Sequence, residues 1–131
     1  MTYLALKNTT VFKTAVVVNG PTHLAELVEE RPAMDRVCTK LIPDYESNKE
    51  KELCKRSVVF WADELDKSAS LLILSGTEDK QVNPDQASQM EEKLTEISYN
   101  IEHFSFETDH KFSNKKAELN STLINWFGER L

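Results

Sequence analysis

Two short, unbroken apolar runs constrain this chain most. Thr14-Ala15-Val16-Val17-Val18 stops at Asn19-Gly20-Pro21, and Leu71-Leu72-Ile73-Leu74 stops at Ser75-Gly76. Neither run alternates apolar with polar residues. A strand with one wet face alternates, so continuous runs of this length fit strands buried on both faces, the habit of parallel sheets. Residues 99–106 read as a third strand. Helical spacing fills the intervals. Residues 1–7 read as helical, as do residues 22–30, with Leu24, Leu27 and Val28 on one face. Pro32 ends that segment, and residues 33–41 follow with Met34, Val37 and Leu41. Residues 45–56 carry many charges and few apolar anchors, which predicts a solvated helix and loop. Residues 57–66 hold Val58, Val59, Phe60, Trp61 and Leu65, an apolar cluster expected under the second strand. Ala87, Met90, Leu94 and Ile97 mark one later helix. Leu119, Leu123, Phe127 and Leu131 mark another over residues 114–130.

Strands alternating with helices imply parallel βαβ units with right-handed crossovers. Three strands are few for an independent parallel sheet, because both faces need helices and both edges need cover. The pattern therefore predicts the end of an open α/β fold. With 131 residues, 40% hydrophobic and 29% charged, the chain has material for one domain with a packed core.

Composition excludes several functions. The net charge is −6, with no basic stretch, so neither nucleic acid nor an anionic membrane is an expected partner. No apolar run approaches the roughly 20 residues of a membrane span. Gly20, Gly76 and Gly128 are the only glycines, too few and too scattered for a phosphate-binding or dinucleotide loop. No cofactor is expected. Cys38 and Cys54 make neither a disulfide framework nor a zinc site and read as reduced thiols.

In an open parallel sheet, functional loops gather at the carboxyl ends of the strands. Asp79 lies five residues past Leu74, and His110 four past Phe106. If those strands are neighbours, a carboxylate and an imidazole emerge on one edge. That pair is the orienting half of a nucleophile–His–Asp triad. His23, at a helix start, and His103, inside a strand, have no patterned partner and receive no role.

Residues 72–82, Leu-Ile-Leu-Ser-Gly-Thr-Glu-Asp-Lys-Gln-Val, resemble the acid loop of the prolyl oligopeptidase family of serine peptidases. There an apolar strand leads into a His-Gly-Thr-x-Asp-Asp-x-Val-like loop whose first aspartate is the triad acid. The helix over residues 85–95, the strand over 99–106 and Asp109-His110 continue the resemblance, with His110 placed 31 residues after Asp79. Residues 55–62 are similar to the family's approach to the acid strand. Met1 to Leu6 looks like the helix that follows the nucleophile elbow, and Trp126-Phe127 like the closing helix. The resemblance implies an incomplete α/β-hydrolase fold, the last three parallel strands with flanking helices. It also implies Asp79 as acid and His110 as base.

Two positions depart from the family pattern. Ser75 replaces the loop histidine, which alters loop packing. Lys111 replaces the glycine that commonly follows the catalytic histidine, which adds a side chain beside the imidazole. No Gly-x-Ser-x-Gly occurs, and Ser57, Ser68, Ser75 and Cys38 lack the strand-to-helix elbow of a nucleophile. The expectation is a C-terminal portion of a peptidase catalytic domain that begins after its own serine and is inactive alone. Its substrate in the intact enzyme is a short peptide or ester, and its compartment the cytoplasm. The alternative is a non-catalytic α/β remnant that binds a partner or self-associates through an exposed sheet edge.

Overall fold

The computed structural model describes all 131 residues. The elements run α1 (Thr2–Asn8), β1 (Thr14–Val18), α2 (Leu24–Glu30), α3 (Pro32–Leu41) and α4 (Tyr45–Lys55), then two 3-10 turns, Val58–Phe60 and Ala62–Glu64. After these come β2 (Ser70–Gly76), α5 (Asp85–Glu96), β3 (Ile101–Phe106) and α6 (Lys116–Arg130). The strands form one parallel sheet in the order β1-β2-β3.

β2 is the middle strand, and every residue of it is buried. Its side chains alternate between two cores, as the period of a strand demands. Leu71 and Ile73 join Met90, Leu94, Tyr3, Leu6, Val58, Trp61 and Leu65 on one side. Leu72 and Leu74 join Phe112 and Trp126 on the other, with Leu119, Leu123 and Phe127 packed around them. Both faces of β2 are thus covered, which is why its sequence shows no polar alternation. Of the expected apolar cluster at residues 57–66, Val58, Trp61 and Leu65 lie in the first core, whereas Val59 is half-buried outside it and Phe60 stays 54% exposed. A separate small core holds α2, α3 and α4 together through Val28, Cys38, Tyr45 and Leu53.

Boundaries differ from the sequence reading at several element ends, among them those of β2, β3 and α6. β2 extends through Ser75 and Gly76, which pair with Ser105 and Phe106. β3 starts at Ile101 rather than residue 99, because residues 98 and 99 close α5. Ser98 adopts φ 57° and donates to Thr95 O, while Tyr99 N donates to Leu94 O. That is a Schellman closure, with serine in the place that glycine usually takes. α6 starts at Lys116, and its deepest residue is Trp126, whereas Leu131 is 83% exposed. The apolar stripe at spacing four flanks this anchor rather than replacing it.

Candidate active site

The loop after β2 is shaped by Asp79 itself. Its Oδ1 accepts from the backbone N–H of Gln81 at 2.7 Å and of Val82 at 3.1 Å. An aspartate that bonds the chain two and three residues ahead builds its own turn. The other oxygen, Oδ2, accepts from His110 Nδ1 at 2.7 Å. The Asp79 side chain is 2% exposed and that of His110 is 31% exposed. A carboxylate accepts only, so Nδ1 carries a proton. In the neutral ring Nε2 then holds a free lone pair, the state of a general base. Nε2 makes no hydrogen bond within the chain. His110 borders an open cleft of about 860 Å³ shared with Glu78, Lys80, Gln81, Asp109, Lys111 and Ser113. No apolar residue lines it.

The histidine loop is held from several sides. Thr77 N donates to Phe106 O at 2.8 Å and Glu78 N to Thr108 O at 3.1 Å, so the acid and histidine loops are laced backbone to backbone. Gly76 permits the approach: a Cβ there would collide with the carbonyl oxygen of Thr108 and stand 2.9 Å from that of Asp109. Asp109 accepts from Lys111 N, Ser113 N and Ser113 Oγ, and the Ser113 bonds hold its carboxyl below the usual aspartate range. Phe112 is fully buried at φ 54° and meets Phe106 edge to face at 5.5 Å. A bulky residue at positive φ is strained, a cost of about 1–3 kcal/mol that burial of the ring offsets.

Both residues picked from the sequence, Asp79 and His110, therefore come together. His103 does have partners, contrary to the sequence reading. Its Nδ1 bonds Glu91 Oε2 at 2.6 Å, and its Nε2 lies 2.8 Å from Ser75 Oγ, which also meets Ser105 Oγ at 3.1 Å. The order serine, histidine, carboxylate imitates a triad. Ser75, however, is 3% exposed in the middle strand, with no space for a substrate carbonyl. The cluster joins α5 to the ends of β2 and β3. His23 caps α2, accepting weakly at Nδ1 from Glu26 N at 3.4 Å. Asn19, a turn residue in the sequence, is a second omission: it bridges Gly76 and His110 through its side chain. No group of three or more His, Cys, Asp and Glu side chains is placed to hold a metal. No helix is long and apolar enough to cross a membrane.

A parallel sheet with an aspartate after one carboxyl end and a histidine after the next is the closing part of an α/β-hydrolase fold. Solved peptidases of that fold share it. Pyrococcus horikoshii acylaminoacyl peptidase aligns with 100% of this chain and 22% of its own, with TM-score 0.84 and 20% identity. A puromycin-hydrolyzing peptidase of Mycobacterium tuberculosis aligns over 81% of this chain and 16% of its own, with TM-score 0.65 and 25% identity. The chain thus spans about a fifth of the length of such enzymes. No curated protein sequence matches it. The model of the prolyl oligopeptidase family matches residues 1–131, and the chain belongs to that family.

Proposed function

We propose that this chain supplies the acid and the base of a serine peptidase of the prolyl oligopeptidase family, and that the nucleophilic serine lies outside these 131 residues. The observation that carries the reading is the 2.7 Å bond from His110 Nδ1 to the buried Asp79 carboxylate. In the reaction, His110 Nε2 takes the serine hydroxyl proton as the oxygen bonds the substrate carbonyl. Asp79 fixes the tautomer and stabilises the imidazolium. The proton then passes to the leaving amine or alcohol, and water hydrolyses the acyl-enzyme by the reverse sequence. The substrate is a short peptide or ester. The reading keeps the protein in the cytoplasm, where Cys38 and Cys54 persist as the free thiols seen here.

The test is to read the coding sequence upstream of Met1 in frame and to express what it encodes. The expected result is a Gly-x-Ser-x-Gly ahead of Met1 and a protein that a serine-directed fluorophosphonate labels. In that protein Asp79→Asn lowers turnover about 10⁴-fold. The 131 residues alone take no label. An in-frame stop codon ahead of Met1, or a label on the 131-residue chain, overturns the proposal. One observation favours the second reading, a self-associating α/β remnant: β1 is an edge strand without a single charged residue.

A further inference from the structure

We infer that Asn19 is a positioning residue for His110, a clasp between the strand that carries the acid and the peptide unit of the base. The inference rests on the Asp79–His110 relay proposed above. Asn19 is 7% exposed and sits just past β1 at φ 48°. Asparagine tolerates this left-handed backbone better than most residues. Its backbone N–H donates to Leu74 O at 2.9 Å, which extends the β1–β2 ladder by one bond. Its side chain then works in both directions. Oδ1 accepts from Gly76 N at 2.8 Å, and Nδ2 donates to His110 O at 2.8 Å.

Only a primary amide of this length meets both demands. Aspartate accepts but cannot donate, and glycine keeps the backbone but offers neither group. The bond to His110 ends on that residue's own carbonyl, so it sets where the imidazole leaves the main chain. Gly76 is three residues before Asp79, so the same amide gauges the base against the root of the acid loop. Catalytic pairs are sensitive to such gauging: a misplacement of about 1 Å costs on the order of 100-fold. The charged groups around His110 come from two loops, Glu78, Asp79 and Lys80 from one, Asp109 and Lys111 from the other. None of them is altered by Asn19→Gly, so a response of the imidazole to that variant reports its position. The carboxylate that Asn19→Asp adds favours the imidazole proton, so faster exchange there cannot come from its charge.

The test observes the His110 Nδ1 proton by NMR in the 131-residue chain. The Nδ1 proton of His103, held by Glu91, is the internal control for folding. The relay predicts a protected His110 signal that Asp79→Asn abolishes. The clasp predicts that Asn19→Gly speeds exchange of that proton about tenfold while the His103 signal stays, as for one lost hydrogen bond. Asn19→Asp, which keeps only the acceptor for Gly76, has the same effect at His110. If the wild-type signal is present and Asn19→Asp leaves it protected, the clasp is wrong and the relay stands. If the wild-type chain shows no protected His110 signal, the relay falls and the clasp with it. Should Asn19→Gly lose the His103 signal too, that variant has lost its fold and Asn19→Asp decides.

Discussion

A methyl group on Gly76 has nowhere to go. It would press into the carbonyls of Thr108 and Asp109, where the acid loop passes the histidine loop. Gly76→Ala is therefore expected to destabilise the chain by about 1–3 kcal/mol, read as a lower urea midpoint. Unchanged stability would mean that the two loops are not held this close. Tyr3 presents the opposite case. Its ring is core, but its hydroxyl is buried without a partner, and burial pushes its ionisation upward. Tyr3→Phe removes an unsatisfied polar atom and is expected to gain about 1 kcal/mol. A loss in the same urea experiment would show that the hydroxyl is bonded. Asp79 and His110 were legible in the sequence because each stands a few residues past the carboxyl end of a strand, where the loops of a parallel sheet gather. Asn19 was not: its partners are 57 and 91 residues away, and at short range it reads only as a turn. His103 was hidden similarly, because Glu91 lies on α5 and Ser75 on the neighbouring strand.

At the scale of elements, β1 and β2 were plain because both faces are apolar. β3 was less so, for it is an edge strand with a mixed burial pattern. Its start was misplaced by two residues because Tyr99, β-prone in isolation, is spent on ending α5. There the Tyr99 hydroxyl donates to Asp66 O at 2.8 Å. Burial, first, and the nearby Asp66 charge push that hydroxyl up to about 12, from an ordinary 10.0. The folded chain then holds the proton more tightly than the unfolded chain. This stabilisation is complete below pH 10.0 and is lost as pH rises towards about 12. Thermal melts across that window are expected to show the decline, and Tyr99→Phe, with no proton to lose there, to show less of it. An identical decline in both chains would assign it to other groups.

The whole molecule is a sheet with one closed strand and two edges. β1 presents Thr14 to Val18 with no lysine, proline or bulge, the devices that usually blunt an edge. The proposed self-association follows, with a second copy as the occupant. Light scattering on the 131-residue chain is expected to report a dimer, and Val18→Lys, at a position already 39% exposed, to shift it to monomer. A wild-type monomer at high concentration would remove this reading. Helix α6 has a different consequence. Trp126 Nε1 donates to Thr14 Oγ1 at 2.7 Å across 112 residues of sequence, and the same indole closes the core over Leu72 and Leu74. On the ribosome, β1 and β2 are therefore made long before the helix that covers one of their faces. At the usual pace of about 5–20 residues per second, that side of the sheet stays bare for several seconds in every molecule made. Until α6 arrives, Leu72 and Leu74 have no indole to close over them, and that half of the core exists only as exposed apolar surface.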